Sequence, residues 1–166
     1  LSNLGKNRQY AAKITALAAA DARITVCDTP LSKEALASKY HESQVYLSLH
    51  RSEGLGYTIA EAMLARVPVI ATAWSGSLDL MGSAAFGAVE FDLIPVNQNE
   101  YIGWQEQYWA MPNVAHAAQL LRQVKYMSQQ ERDNLAQNAA MRLRRQFHID
   151  GLARLYEETF AALLRP

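Results

Sequence analysis

The chain carries short, nearly continuous apolar runs separated by longer segments in which apolar residues recur every three or four positions. Two of the runs are RITVC at Arg23–Cys27 and VPVIAT at Val67–Thr72, and a third, Val45–Leu49, lies between them. Strands that are apolar on both faces are typical of a parallel sheet covered by helices on each side. The pattern therefore predicts an α/β fold, with right-handed crossovers between the strands.

Helices are predicted between these strands. The first covers Tyr10–Ala20. A second begins after Ser32, whose hydroxyl can cap the first turn, and continues through Tyr40. A third begins near Tyr57 and should pack on the sheet, because its apolar residues fall on one face.

The remainder of the chain is predicted to end in a helical segment. Beyond Gly76 and a short helical turn, the predicted elements are the extended segments Ala84–Glu90 and Phe91–Val96 and the helices Asn113–Met127, Ser128–Phe147 and Asp150–Leu164. Asn113, Ser128 and Asp150 are the predicted N-caps of the three helices.

The last of these helices is strongly amphipathic. Its apolar residues recur at three- and four-residue spacing, at Leu152, Leu155, Tyr156, Phe160, Leu163 and Leu164. We expect this stripe to be exposed in the chain as it stands, which offers a surface for homodimerisation.

Composition narrows the class of protein. The 166 residues suffice for a single domain with its own core. With 16 basic and 16 acidic side chains the formal net charge is zero, so no overall field attracts nucleic acid. A single cysteine, Cys27, favours a reducing compartment, and its place at the end of an apolar run predicts a buried, inert thiol. Because no apolar run reaches about 18 residues, we expect a cytoplasmic protein without a transmembrane segment.

The segment from His50 to Tyr57 carries the candidate chemistry. Ligands of open α/β sheets bind beyond the carboxyl ends of the strands, where loops enter the next helix. This loop follows a predicted strand and contains Glu53, Gly54 and Gly56 just before a predicted helix. Glycine lets a ligand approach the backbone, and the start of a helix attracts phosphate.

Several motifs in a fixed order make the signal more specific. They are SLHRSEGLG from Ser48, then EAM from Glu61, PVIAT from Pro68 and SG at Ser75, followed by YWAMPN from Tyr108. Together, over roughly residues 24–164, they resemble the donor domain of glycosyltransferase family 4 (group 1), whose members are retaining enzymes of the two-domain GT-B type.

The resemblance implies a Rossmann-like domain that forms the C-terminal, donor-binding half of a GT-B fold. It also predicts that residues 1–166 are a single-domain fragment of a longer enzyme. It implies retaining transfer of a hexose from a UDP- or GDP-linked donor to a glycan or lipid-linked acceptor held by the missing N-terminal domain. Bacterial polysaccharide biosynthesis is the expected setting. The full-length enzyme would then work in the cytoplasm, at the inner membrane face as a peripheral protein.

The resemblance also implies roles for individual residues. Glu61 would accept hydrogen bonds from the ribose of the donor, and Glu53, the catalytic-site residue, would bind hydroxyls of the transferred sugar. Backbone amides would line the sugar and the diphosphate, and one apolar side chain would pack on the base. The amides are those of Gly54, Leu55, Gly56, Tyr57 and Thr58, and the apolar side chain is Leu31.

Structural explanations compete with each of these roles. Glu61 and Glu53 could be solvated surface carboxylates, and Leu31 could be a core residue. His50 could transfer protons, although a structural histidine at a strand end is the favoured interpretation, and Arg51 could touch phosphate or merely cover the loop. For the aromatic residues, packing of helices onto the sheet is favoured over sugar stacking; these are Trp74, Trp104, Tyr108 and Trp109.

The same residues argue against a metal or cofactor and distinguish between rival functions. No His, Cys, Asp or Glu set has metal-ligand spacing, so neither a metal nor a cofactor is expected, the nucleotide sugar being a substrate. The family's phosphate-binding Arg and Lys match neither Lys6 nor Arg8, which leaves a non-catalytic nucleotide-binding or regulatory module as the alternative. An NAD-dependent dehydrogenase is disfavoured, because Ile59 stands where the third fingerprint glycine would be.

Overall fold

The computed structural model describes residues 8–82, 85–98 and 100–164. The chain forms two units, residues 1–38 and residues 39–166. The first contains helix α1, Arg8–Ala20, and the start of helix α2, Lys33–Glu42. The predicted cap of α2 is confirmed, since Ser32 Oγ accepts a hydrogen bond from the amide of Ala35 at 3.2 Å.

The predicted strand at Arg23–Cys27 is wrong. A tight turn follows α1, in which Arg23 binds the carboxylate of Asp21 at 2.6 Å and the amide of Ile24 bonds to the Asp21 carbonyl. Residues 24–27 then run without strand pairing to any described residue, and Ile24 and Val26 are exposed. A strand is stabilised by its neighbours rather than by its own residues, so an apolar run alone does not make one. Cys27 is likewise exposed, contrary to expectation.

The second unit is built on a parallel sheet. Its strands are β1 (Tyr46–Ser48), β2 (Val69–Thr72) and β3 (Ala88–Val89), in the order β1-β2-β3. Helix α3, Tyr57–Leu64, joins β1 to β2, and helix α4, Ser77–Met81, joins β2 to β3. This arrangement confirms the α/β fold with a parallel sheet flanked by helices.

Strand β2 is covered on both faces, as its uniform apolarity predicts. Ile70 packs in a cluster with Leu120 and Val124, whereas Ala71 packs in a cluster with Ile59 and Met63. Successive side chains of a strand point to opposite faces, so these two clusters cover opposite sides of the sheet. The covered sheet gives the loops at its carboxyl edge a rigid base.

A small antiparallel hairpin follows the parallel sheet. Strand β4, Phe91–Pro95, was predicted as an extended segment and pairs with β5, Tyr108–Pro112, which was not predicted. The extended segment predicted at Ala84–Glu90 shortens to β3, and residues 83 and 84 lie outside the described residues.

Three helices complete the described chain: α5 (Val114–Tyr126), α6 (Gln129–Gln146) and α7 (Ile149–Leu163). The predicted caps of α5 and α6 are confirmed, since Asn113 accepts from the His116 amide and Ser128 forms a reciprocal capping box with Glu131. The predicted cap of α7 is wrong. His148 is the N-cap, and its Nδ1 accepts from the amide of Asp150 at 3.3 Å.

Helix α7 is largely exposed. None of its residues is buried, and Leu155 and Phe160 are 59% and 58% exposed. The exposed apolar stripe expected from the sequence is therefore present. Within the described residues, no helix is both long and apolar enough to cross a bilayer.

Candidate functional site

A loop from His50 to Gly56 connects the carboxyl end of β1 to the start of α3. Gly56 ends this loop with φ of 84°, in the left-handed region that favours glycine, and stands at the N-cap of α3. Because Gly56 has no side chain, the N-cap residue accepts no side-chain hydrogen bond from the first turn of the helix. The first amides of a helix have no partner within the helix itself, so those of Tyr57 and Thr58 can bind an anion.

A second loop, which follows β2, is hydrogen-bonded to the first. The hydroxyl of Ser75 donates to the carbonyl oxygen of Glu53 at 2.6 Å, and the amide of Gly76 donates to the same oxygen at 3.3 Å. A Cβ atom on Gly76 would lie 1.6 Å from the carbonyl oxygen of Gly54, so only glycine allows the two loops to approach this closely. A Cβ atom on Gly54 itself would meet no described atom within 4 Å.

Glu53 is half-buried at the edge of a cleft of about 500 Å³. Its Oε1 accepts a hydrogen bond from the amide of Gly54 at 3.1 Å. Its Oε2 accepts none from the described residues and remains available for an external donor. Ser52 and Gly54 line the same cleft.

Glu61 lies on α3 and is exposed, yet its side chain is held by a buried tyrosine. Tyr40, from α2, donates from Oη to Glu61 Oε2 at 3.1 Å. Burial, and then the hydrogen bond to Glu61 and the charge of that carboxylate, raise the pKa of Tyr40 well above its ordinary value. A phenol is a donor at neutral pH in any case, and the raised pKa of Tyr40 keeps it a donor at alkaline pH as well. The sequence does not reveal this contact, because 21 positions separate the two residues and no local pattern links them.

His50 links the two loops through hydrogen bonds. Its Nε2 lies 3.2 Å from the carbonyl oxygen of Trp74, which can only accept, so Nε2 carries the proton. Nδ1 then accepts from the hydroxyl of Ser48 at 3.2 Å, and the hydroxyl of Ser77 also lies 3.2 Å from Nε2. With both ring nitrogens engaged, the geometry favours the structural interpretation of His50 over proton transfer.

Arg51 covers the loop rather than reaching out from it. Its guanidinium carbon lies 4.2 Å from the ring centroid of Trp109, a cation–π contact, and its Nε atom is buried. Its carbonyl oxygen accepts from the amide of Ala110 at 2.8 Å. Trp74 contacts Phe91 of β4, with 5.3 Å between the ring centroids, so this contact joins a loop to the hairpin and not a helix to the sheet. The packing role expected for the aromatics is wrong for Tyr108, which is 56% exposed.

Comparison with known proteins identifies the family of the chain that contains this loop. A family model described as "Glycosyl transferases group 1" matches residues 2–95, more than half of the chain. The chain belongs to this family. The matched segment includes β1, the loop, α3 and β2, whereas the stretch from Tyr108 to Asn113 lies beyond it. No curated protein and no solved structure matches the chain.

The other residues that the sequence predicts for the donor site are exposed. Leu55 and Tyr57 are 38% and 73% exposed beside the helix start, and Thr58 is exposed too. The hydroxyl of Tyr46 donates to Thr58 Oγ1 at 2.8 Å, which leaves the Thr58 amide unaffected. Leu31 belongs to the unit of residues 1–38 and is 41% exposed, so its contact with a base stays a prediction.

The electrostatics of the glycosyltransferase loop come from carboxylates and backbone dipoles. Within the described ranges, no three His, Cys, Asp or Glu side chains are grouped so that they could hold a metal ion. The positive end of α3 can bind an anion. The carboxylates of Glu53 and Glu61 can each accept hydrogen bonds from hydroxyl groups.

Proposed function

We propose that this domain binds a nucleoside-diphosphate sugar and serves the retaining transfer of a hexose, as the C-terminal half of a GT-B enzyme of glycosyltransferase family 4. The observation that carries the proposal is the left-handed Gly56, which leads the loop onto the N-terminus of α3 without a side-chain cap. An uncapped helix start at the carboxyl edge of a parallel sheet suits a diphosphate.

Each acidic residue has a distinct task in this proposal. Glu61, held by Tyr40, accepts hydrogen bonds from the ribose hydroxyls, for which a carboxylate with one remaining free oxygen is suited. Glu53 uses its open Oε2 to bind hydroxyls of the hexosyl group. Gly54, which has open space where a side chain would be, lets the sugar and distal phosphate approach the backbone.

The chemical step calls for charge stabilisation. As the bond between sugar and phosphate breaks, negative charge grows on the diphosphate and the sugar becomes oxocarbenium-like. The amides of Tyr57 and Thr58 and the dipole of α3 stabilise the leaving group, while the Glu53 carboxylate lies on the side of the positive sugar.

The finer parts of the proposal rest on the sequence motifs. The donor is a UDP- or GDP-linked hexose, with Leu31 against its base, and the acceptor is a glycan or lipid-linked saccharide bound by an N-terminal domain. The setting is bacterial polysaccharide biosynthesis at the cytoplasmic side of the inner membrane.

A thermal-shift panel tests the proposal. UDP-, GDP- and ADP-sugars are added to the wild type, to Glu61→Gln, and to Glu157→Gln as an exposed helical control outside the site. One nucleotide class should raise the melting temperature of the wild type and the control but not of Glu61→Gln, because ligand binding stabilises only the folded state. Equal shifts in all three proteins would refute the role of Glu61.

A non-catalytic nucleotide-binding module is the alternative, and the position of Arg51 favours it. This basic side chain, adjacent to the loop, stacks on Trp109 instead of extending toward a phosphate. Donor hydrolysis or transfer measured with the full-length protein separates the two functions, because a module of this kind binds nucleotide without turnover.

A further inference from the structure

An apolar groove of about 460 Å³ lies beside the glycine loop and is not used by the proposed function. One wall is a face of α3 that includes Tyr57 and Leu64, and Leu55 of the loop continues it. Volumes of this order are typical of small-molecule sites. The groove is distinct from the cleft that Glu53 borders, because the two share no lining residue.

The second wall of the groove is formed by the end of α6 and the start of α7. It presents Phe147 and Ile149, which are 39% and 73% exposed. The buried residues Leu80 and Leu143 also line the groove, and they belong to the same core cluster as Ile59 of α3. Because a close-packed core connects the two walls, the groove exists before a ligand arrives.

The lining of the groove is poor in polar groups. It offers the hydroxyl of Tyr57, the imidazole of His148 and the guanidinium of Arg144, and every other lining side chain is a hydrocarbon. A saccharide or a nucleobase would lose hydrogen bonds to water there and find few replacements. A hydrocarbon chain has no such bonds to lose, and its removal from water is favourable. The lining therefore favours a long apolar chain as the occupant.

The charge at the groove favours a chain that carries an anion. Arg144 is exposed and forms no ion pair with a described residue, whereas Nδ1 of His148 lies 3.4 Å from the carboxylate of Asp150. Among the residues that the structure describes, no acidic side chain lines the groove. A guanidinium binds phosphate through parallel hydrogen bonds, so Arg144 is a suitable partner for a phosphate on the chain.

The position of the groove distinguishes an acceptor lipid from a bulk membrane lipid. Leu55 stands between Gly54 and Gly56, in the loop to which the proposed function assigns the donor sugar. A transfer reaction requires the acceptor to lie next to the donor, in a geometry that the protein fixes. A chain that packs on Leu55 lies next to the donor, as the chain of an acceptor would.

We propose that this groove holds the hydrocarbon chain of a lipid-linked acceptor and that Arg144 binds the phosphate of that lipid. The inference rests on the proposed function, in which an N-terminal domain binds the saccharide of the acceptor. It narrows the acceptor to a lipid-linked saccharide, and it gives this domain a part in binding it.

Calorimetric titration with octyl phosphate, below its micelle concentration, tests the groove. Butyl phosphate and inorganic phosphate are the comparison ligands, with a shorter chain and no chain. The groove variants are Leu64→Glu and Arg144→Gln. Their matched controls, Leu155→Glu and Arg145→Gln, change exposed residues that do not line the groove. Circular dichroism checks that each variant remains folded.

We expect the wild type to bind octyl phosphate at least about ten-fold more tightly than butyl phosphate, because the additional methylene groups enter the groove. Leu64→Glu should weaken octyl phosphate binding about ten-fold, since it places a charge against the chain. Arg144→Gln should weaken it about three-fold, as loss of an exposed ion pair does. Leu155→Glu and Arg145→Gln should bind like the wild type.

Several results would overturn the proposal. In two of them, the wild type binds octyl phosphate no better than inorganic phosphate, or Leu64→Glu and Leu155→Glu weaken binding equally. If Leu64→Glu abolishes binding to phosphatidylglycerol vesicles but leaves octyl phosphate binding unchanged, the surface belongs to a bilayer. If the wild type self-associates and Leu64→Glu alone converts it to a monomer in sedimentation velocity, a second copy of the chain occupies the groove.

Failure of the proposed function has another signature. Titration of the same proteins and of Glu61→Gln with UDP and GDP reports on the donor site. The proposed function fails if neither nucleotide binds, or if Glu61→Gln binds them as tightly as the wild type, whatever the result with octyl phosphate. We expect Leu64→Glu to leave the affinity for both nucleotides unchanged, because Leu64 lines the groove and not the start of α3.

Discussion

The buried phenol of Tyr40 holds the exposed carboxylate of Glu61, with 3.1 Å between Oη and Oε2. The same hydroxyl lies 3.3 Å from the carbonyl oxygen of Thr58, one helical turn earlier. Tyr40 is 7% exposed and packs against Tyr46, with 6.0 Å between the ring centroids, so packing fixes the position of the hydroxyl. A glutamate that would otherwise sample many rotamers is thereby oriented before a ligand arrives.

Removing this hydroxyl should weaken nucleotide binding. We expect Tyr40→Phe to raise the Kd for the preferred UDP- or GDP-sugar about five-fold, equivalent to about 1 kcal/mol, because Glu61 must then be ordered on binding. The value is below the usual range for a hydrogen bond to a charged group, because Glu61 is exposed to solvent. Isothermal titration calorimetry measures the change.

Tyr46→Phe is the matched control for that variant. The hydroxyl of Tyr46 donates to Thr58 Oγ1 and its ring packs against that of Tyr40, but among the described residues it makes no hydrogen bond to Glu61. An affinity reduced equally in both phenylalanine variants would show that the effect comes from packing and not from orientation of Glu61.

Alkaline pH provides a second test of the Tyr40 contact. Burial first, and then Glu61, raise the pKa of Tyr40 in the folded state above its ordinary value of 10.0. The stability that this shift contributes is complete below about pH 10 and is lost as the pH rises toward the folded-state pKa. In urea unfolding, wild type and Tyr40→Phe should differ by a constant free energy between about pH 6 and pH 9. Above about pH 10 the wild type should lose stability relative to the variant, whereas Tyr126→Phe should follow the wild type at every pH.

Local signals made part of this structure predictable from sequence. Gly56 and the apolar face of α3 lie within a few residues of each other, as do Ser128 and Glu131 of the capping box, so each feature is encoded where it forms. The alternation of Ile70 and Ala71 between two clusters follows from strand geometry once β2 is recognised.

Features that depend on distant partners were not predictable in the same way. Arg23–Cys27 has the composition of a strand but no strand partner among the described residues, whereas β5 forms because β4 lies beside it. Tyr108 belongs to an aromatic stretch that suggested burial, yet the hairpin turns its side chain toward a cleft. Pairing and exposure are set by tertiary neighbours, which a pattern along one segment does not reveal.

Two glycines in adjoining loops should respond to alanine in opposite ways. Gly76→Ala should destabilise the domain by about 2–4 kcal/mol, because the new methyl group would overlap the carbonyl oxygen of Gly54 and force the loops apart. Gly54→Ala has open space and should leave stability within about 0.5 kcal/mol of the wild type. It should nevertheless reduce nucleotide-sugar affinity several-fold, since its methyl group occupies the space that a ligand would enter.

Urea unfolding and calorimetric titration of both variants supply the comparison. Gly103→Ala is an unsuitable control because of its positive φ, whereas Gly151→Ala in α7 has open space and lies outside the site. If Gly54→Ala binds nucleotide sugars as tightly as Gly151→Ala does, the backbone of Gly54 is not approached by the ligand.

The apolar stripe of α7 should drive self-association of this chain. Leu155, Tyr156 and Phe160 are each more than half exposed, and Tyr156 stacks on Phe160 along the helix. Burying such a surface between two copies removes apolar area from water, which stabilises the pair by about 25 cal/mol per Å².

Sedimentation velocity tests this self-association. The sedimentation coefficient should increase with concentration for the wild type and remain that of a monomer for the double variant Leu155→Glu, Phe160→Glu. Because both side chains are exposed, the variant should unfold in urea within about 0.5 kcal/mol of the wild type. A wild type that stays monomeric at every concentration would mean that α7 does not pair with a second copy.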